Sequence, residues 1–183
     1  MAEDLIDRLR HRLLTEPSVD MQVCPPIRPH PPVSVAELVE AEEQLGFGLP
    51  QLVRELYTQV ADGGFGPGYG LVRLMAGDSL TLVLSDREFQ DQRATGHPLC
   101  QWPEQFLKLC GWGCNYFSGI DCSQPSCPVL RFVPDWWVED GEMSDVLVPE
   151  SSSLEEWLGA WLGGERLWER IGRTPHSTPN LSR

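Results

Sequence analysis

The stretch "SVAELVEAEEQLGFGLPQLVRELYTQVADGGFG", residues 34–66, contains two helical patterns and the glycines that bound them. Ser34 and Glu37 have the spacing of a capping box, in which the two side chains satisfy backbone amides at a helix start. The apolar positions that follow predict an amphipathic helix, which Gly46 is placed to end. Pro50 suits the first turn of a second helix, and the glycine pair near the end of the stretch stops that helix.

The overlapping stretch "DGGFGPGYG", residues 62–70, is rich enough in glycine to raise the question of a phosphate-binding loop. Such a loop follows a strand and opens a helix, whose N-terminus holds the anion. Here a helical pattern precedes the glycines and a strand pattern follows them, and no Gly-Lys-Ser or Gly-Lys-Thr occurs. We therefore interpret the stretch as a helix stop and a tight loop that needs positive φ angles.

The period of the apolar residues changes after the glycines. "GLVRLM" (residues 70–75) and "SLTLVLS" (residues 79–85) are short runs of branched residues with Ala-Gly-Asp between them, a pattern that predicts a β-hairpin. Ser85 and Glu88 repeat the capping-box spacing, so we expect a helix to begin there and to run to about Ala94.

Strand patterns dominate the next part of the chain. "CNYFSGID" (114–121) and "PVLRFV" (128–133) predict two strands, "DWWVEDGEM" (135–143) a strand that ends in a turn, and "DVLVPE" (145–150) a further strand. A last helix begins near Ser153 or the serine before it. Helices first, strands in the middle and a closing helix predict an α+β fold, with a mostly antiparallel sheet flanked by helices.

The N-terminal part is different. Residues 3–14 predict a short amphipathic helix, and residues 17–32 contain too many prolines for a helix or a central strand. Two arrangements remain open, a loosely tethered helix and one that packs back on the domain. We divide the chain into a helix with a proline-rich linker (1–33), an α+β domain (34–172) and a flexible tail (173–183).

The composition favours a basic partner. The formal net charge is −13 and the pI about 4.6, so the surface repels nucleic acid and anionic lipid and attracts positive proteins. No apolar run is long enough to cross a bilayer, and the first residues lack the apolar core of a signal peptide. We expect a cytoplasmic protein with reduced thiols that binds neither nucleic acid nor membrane. The oligomeric state stays open.

Two zones concentrate the acidic residues. Residues 34–62 hold six carboxylates against one base, and residues 135–156 hold eight with no base. The second zone contains Trp136 and Trp137, which face opposite ways in a strand, so one of them is exposed. An exposed tryptophan among carboxylates is a plausible hot spot for a basic partner; the alternative is a packed tryptophan beside a solvated turn. The predicted partner-binding residues are Asp135, Trp136, Trp137, Glu139, Asp140, Glu142, Asp145, Glu43 and Asp62.

Four of the six cysteines cluster, at Cys110, Cys114, Cys122 and Cys127. Their spacing approaches that of a structural zinc site, but the gap between the two pairs is much shorter than in zinc ribbons. Cys114 also lies in an expected core strand, where a free cysteine acts as a small apolar residue. A local disulfide between Cys122 and Cys127 is another alternative. We expect no metal and no other cofactor.

Three segments resemble the SUKH superfamily. The first is residues 36–66, where the family pairs a helix ending in Leu-Gly, a Leu-Pro, and a second helix ending in Gly-Gly. The matching positions are Glu42, Leu45, Gly46, Leu49, Pro50, Tyr57, Gly63 and Gly64. "GWGCNYFSGID" (111–121) resembles its second signature, at Trp112, Gly113, Cys114 and Asp121, and "SSSLEEWLGAWL" (151–162) its closing helix. The family often has Asn where this chain has Asp62.

The resemblance implies an α+β domain that binds other proteins and carries no catalytic residues. Bacterial members of the superfamily resemble immunity proteins that neutralise secreted toxins, often nucleases, in the producing cell. A fungal branch regulates cell-wall assembly. Our first hypothesis is a non-enzymatic immunity protein for a basic toxin. The alternatives are an intracellular scaffold or regulatory adaptor without a toxin, and an enzyme that uses the cysteine cluster.

Overall fold

The computed structural model describes residues 2–15, 19–21, 28–75 and 81–173. These ranges contain an antiparallel sheet and helices on both of its faces, which confirms the predicted α+β class. The helices are α1 (Ala2–Thr15), α2 (Val35–Leu45), α3 (Gln51–Glu55, continued by a π-helical turn, Leu56–Val60), α4 (Leu82–Ala94), α5 (Met143–Val146) and α6 (Leu154–Leu162). The strands are β1 (Phe106–Gly113), β2 (Tyr116–Asp121), β3 (Val129–Phe132) and β4 (Leu147–Ser151). No helix in these ranges is long and apolar enough to cross a membrane.

The four strands form a simple meander in the order β1-β2-β3-β4, each antiparallel to the next. A tight turn joins β1 to β2, and its two central residues, Cys114 and Asn115, both have positive φ angles of 48° and 67°. Such turns match the twist of the strands they join. The end of β3 lies at the same end of the sheet as this turn, because Phe117 pairs with Phe132.

Each face of the sheet contributes to its own apolar cluster. On one face Leu107, Ile120 and Val129 join the larger cluster, which is covered by α1, α2, α3 and α6. On the other face Phe106 and Phe117 join a smaller, mainly aromatic cluster with residues of α4 and α5. The alternation of side chains along each strand divides the apolar residues between these clusters.

The N-terminal helix is packed, not loosely tethered. Leu5, Ile6 and Leu9 are buried in the larger cluster, and α1 lies against α6. A further link joins the following segment to the domain, since the Trp161 indole donates to Asp20 over 2.7 Å. The structure therefore selects the second of the two arrangements that the sequence left open.

The two helices predicted over residues 34–66 are present. Ser34 and Glu37 make both hydrogen bonds of the capping box, and Gly46 ends α2 with a φ of 78°. Pro50 is the N-cap of α3 and not a residue of its first turn. Ser153 caps α6, as predicted.

The glycine-rich loop is filled by the chain's own backbone. The Gly64 amide donates to the Leu71 carbonyl over 2.8 Å, and a Cβ on Gly64 would lie 2.1 Å from the carbonyl oxygen of Arg28. With its φ of 74°, this position needs glycine for both conformation and space. Glycine at this position thus lets the segment that precedes α2 approach the backbone of the loop closely.

The predicted hairpin over residues 70–85 is wrong. Thr81 caps α4 by accepting from the Leu84 amide, so the helix begins before Ser85 and includes most of the second predicted strand. Leu82 and Val83 are buried in the first turn of α4, which explains why this run looked like a strand. Leu71 and Arg73 form only isolated bridges, and the predicted turn lies outside the described residues.

Two further predictions need correction. The segment from Asp135 is not a strand but a 3-10 turn (Pro134–Trp136), a loop and the short helix α5. Pro134 lacks the amide that a strand needs and suits the first position of the turn instead. Cys114 lies in the exposed turn between β1 and β2 and not in a core strand. The sequence analysis also missed most of β1.

Candidate partner-binding surface

The acidic tryptophan segment, residues 135–145, projects from the sheet end where β3 stops. The Val133 amide donates to the Val146 carbonyl over 2.7 Å and closes the base of the segment. Trp136 is half-buried against the aromatic cluster, whereas Trp137 is 37% exposed and Val138 59% exposed. The two tryptophans differ in exposure as expected. The difference arises from a turn, and not from the alternation of side chains along a strand.

The carboxylates of the segment divide into two kinds. Glu142 and Asp145 form a capping box at the start of α5, in which the Glu142 amide donates to Asp145 Oδ2 over 2.8 Å. They hold the shape of the segment. Asp135, Glu139 and Asp140 are exposed and place negative charge around the exposed apolar side chains.

A tight turn fixes the exposed tryptophan. The Gly141 amide donates to the Val138 carbonyl over 3.0 Å, and Asp140 has a φ of 64°. A Cβ on Gly141 would lie 3.2 Å from Cζ3 of Trp137, so the indole lies against this glycine. The ring therefore packs against the backbone of this turn.

Asp135 connects the acidic tryptophan segment to Tyr116 and Trp168, which were not among the predicted partner-binding residues. It accepts a hydrogen bond from the Tyr116 hydroxyl, and this bond raises the pKa of Tyr116 to about 12. The Tyr116 ring meets the exposed Trp168 edge-on at 5.5 Å between centroids. The sequence patterns did not predict a role for Tyr116 and Trp168, because this contact forms only when the chain returns after α6.

A buried ion pair supports this part of the surface. Arg131 and Glu150 are each 2% exposed and hydrogen-bond through two pairs of atoms. Glu150 also accepts from the Trp157 indole over 2.7 Å, and the Arg131 guanidinium lies 4.5 Å from the Trp112 ring centroid. Arg131 donates to the Leu167 carbonyl over 3.1 Å, which ties the turn that carries Trp168 to β3.

The pattern that defines the SMI1/KNR4 family (SUKH-1) matches residues 32–160, well over half of the 183 residues. The chain belongs to the SMI1/KNR4 family (SUKH-1). This confirms the resemblance to the SUKH superfamily. Comparison with curated proteins gives no match.

The SUKH-1 match covers the whole sheet and the acidic tryptophan segment. It does not include α1 (Ala2–Thr15) or Trp168, although α1 contributes to the larger core cluster and Trp168 contacts Tyr116. This SUKH-1 domain is therefore completed by parts of the chain on both sides of the matched range.

Two of the predicted binding residues lie away from the segment. Asp62 is 2% exposed; its carboxylate accepts from Arg73 Nε and from the Leu74 amide, both over 2.7 Å. It stabilises the start of the segment after the glycine loop and is not accessible to a partner. Glu43 is exposed on α2, which covers the opposite face of the sheet from α5.

The four cysteines that cluster in the sequence do not form a single site in the described residues of this SUKH-1 chain. Cys110 is buried in β1, where burial raises the pKa of its thiol, and Cys114 is exposed in the β1–β2 turn. Cys122 and Cys127 are neighbours in the β2–β3 loop; their contact raises the pKa of Cys122 and lowers that of Cys127. In the described ranges all the cysteines are free, and no three His, Cys, Asp or Glu side chains are arranged to hold a metal ion.

Proposed function

We propose that this SUKH-1 protein acts by binding a basic protein through the acidic tryptophan segment, extended by Tyr116 and Trp168, and that it turns over no substrate. The observation that carries the proposal is the fixed, exposed Trp137, next to Val138 and surrounded by exposed carboxylates. Buried aromatic anchors dominate the energy of protein interfaces, and complementary charge accelerates and selects the encounter.

The partner class follows from the charge. Proteins that act on nucleic acid are generally basic because they must bind phosphate backbones. A partner of net charge opposite to −13 would be steered to this chain over long range. We propose a secreted toxin that acts on nucleic acid, which this protein neutralises in the cytoplasm of the producing cell by covering its basic surface.

Charge reversal tests the surface. In titrations against the candidate basic partner, Glu139→Lys is expected to weaken binding by about tenfold, and Trp137→Ala by about thirtyfold, which is the loss typical of a hot spot. Asp4→Lys is the matched control, since Asp4 is exposed on α1 and its reversal changes the net charge equally. Equal losses for Glu139→Lys and Asp4→Lys would contradict the proposed surface.

The neighbouring reading frame tests the biological role. We expect a large secreted protein with a basic C-terminal domain to be encoded beside this chain, to co-purify with it, and to be toxic when expressed without it. Binding to a non-toxic neighbour, or to a regulatory protein with no effect on toxicity, would support the adaptor role instead.

A further inference from the structure

A pocket of about 430 Å³ opens on the aromatic face of the sheet; Pro134 lies in its lining and Trp137 does not. Phe89, Trp102, Phe117, Phe132 and Leu99 contribute apolar walls. The Phe132 ring centroid lies 5.1 Å from that of Phe117 and 5.2 Å from that of Trp102. The volume falls within the range of roughly 300 to 1,000 Å³ that is typical of small-molecule sites.

Lys108, on β1, supplies a positive charge to this pocket. It is the only lysine in the sequence; the other 13 Lys and Arg residues are all arginines. Its Nζ lies 4.6 Å from the centroid of the Phe117 ring, and the side chain is half-buried. Burial lowers the pKa of Lys108, and nearby Glu88 opposes this effect.

The polar groups around the pocket are not all paired. The Gln92 amide donates to Glu88 over 3.2 Å and its oxygen accepts from the Trp102 indole over 2.7 Å, so these three residues satisfy one another. Within the described residues, Lys108 and Asn115 have no side-chain hydrogen bond, and Lys108 has no ion pair. The pocket thus combines an apolar wall with two donors, the half-buried Lys108 and the exposed Asn115, that have no side-chain hydrogen bond in the described part of the chain.

We propose that this pocket binds a small carboxylate with an aromatic or other apolar body, a ligand class separate from the proposed protein partner. The carboxylate would accept from the Lys108 ammonium and the Asn115 amide, and the apolar body would lie between the rings of Phe117, Phe132 and Trp102. A singly charged anion fits best, because the pocket offers one ammonium and also carries the Glu88 carboxylate, so it cannot offset the desolvation of a second negative charge.

The test compares an acid with its neutral amide. Binding of 3-phenylpropionate and of 3-phenylpropanamide to the full chain is followed by NMR shifts of the β1 amides and the Trp102 indole. We expect the acid to bind about tenfold more tightly than the amide. Lys108→Met is expected to remove this difference and to leave amide binding unchanged. Lys108→Arg is expected to retain the difference between acid and amide. The control Arg87→Met removes an exposed charge on α4 and is also expected to retain this difference.

The proposal fails if acid and amide bind equally to the unaltered protein, if Lys108→Met leaves the difference intact, or if neither compound gives a saturable shift up to about 10 mM. A second measurement needs no substitution. Reductive methylation with ¹³C labels one side chain, because Lys108 is the only lysine. The acid is expected to shift its methyl signal, and the amide is not; equal shifts would overturn the proposal even if Lys108→Met did not fold.

Discussion

Asp135 illustrates how a single carboxylate can organise a surface. It is exposed, yet it accepts from the Tyr116 hydroxyl, and Tyr116 in turn meets Trp168. The hydrogen bond favours the neutral phenol and therefore raises the pKa of Tyr116 to about 12. Its contribution to folding is fully present below the ordinary tyrosine pKa of about 10 and is lost as the pH rises through about 12.

The Asp135→Asn variant tests this bond. We expect the midpoint of Tyr116 ionisation to fall from about 12 toward the ordinary value of about 10, because the amide is a weaker hydrogen-bond acceptor for the phenol and also removes the negative charge that opposes ionisation. The measurement is an NMR titration of ¹³C-labelled tyrosine, with near-ultraviolet circular dichroism to verify that the domain stays folded. An unchanged midpoint in the variant would show that Asp135 is not responsible for the shift.

At this scale the sequence predicted the different exposure of Trp136 and Trp137, but on the wrong structural basis. It also grouped Asp62 with the surface carboxylates. The contact of Asp62 with Arg73 and the Leu74 amide is set by how the chain folds back after the glycine loop. No local pattern distinguishes a carboxylate used in that way from one that faces solvent.

The elements differ in how far local signals determine them. The start and end of α2 are determined by residues that are close in sequence. The capping box therefore predicted the start of the helix, and Gly46 predicted its end. At the start of α4, Thr81 provides a local cap, but the buried Leu82 and Val83 give the first turn the apolar pattern of a strand. The Arg131–Glu150 pair joins β3 to β4 and became visible only in the assembled sheet.

Removing Arg131 is expected to destabilise the domain strongly. Arg131→Met leaves Glu150 buried without its counter-charge, so we expect a loss of about 3 to 5 kcal/mol in the free energy of unfolding, measured by denaturant titration. The double variant Arg131→Met with Glu150→Gln is expected to lose less. Arg166→Met is the control and should cost under about 1 kcal/mol, because its ion pair with Glu169 is exposed. Similar losses for Arg131→Met and Arg166→Met would contradict a structural role for the buried pair.

At the scale of the whole molecule, the described residues form one packed unit, because α1 contributes to the same core cluster as α2, α3 and α6. The sequence predicted the helix from its apolar spacing. It could not predict where the helix packs, because the proline-rich stretch between α1 and α2 does not determine the direction in which the chain returns to the domain. The overall α+β arrangement was predictable because the order of helix and strand patterns restricts the possible layers.

Truncation of one buried leucine in α1 tests this unity. Leu9→Ala is expected to lower the free energy of unfolding of the whole domain by about 2 to 5 kcal/mol, because Leu9 is completely buried. Leu14→Ala, at an 86% exposed position of the same helix, should change it by less than about 0.5 kcal/mol. Circular dichroism and tryptophan fluorescence should give coincident unfolding curves for both variants. A separate early transition in circular dichroism alone would show that α1 unfolds independently.

The solitary lysine has a practical consequence for anyone who handles this protein. Reagents that acylate amines, such as succinimidyl esters, find a single side-chain target in the 183 residues, and that target is on β1 beside the Phe117 ring. A sensor surface prepared by amine coupling would hold many molecules by this strand and obstruct the neighbouring cavity. Attachment through the exposed Cys114 thiol would place a linker next to Asn115, which lines the same pocket, so a terminal affinity tag is the safer anchor.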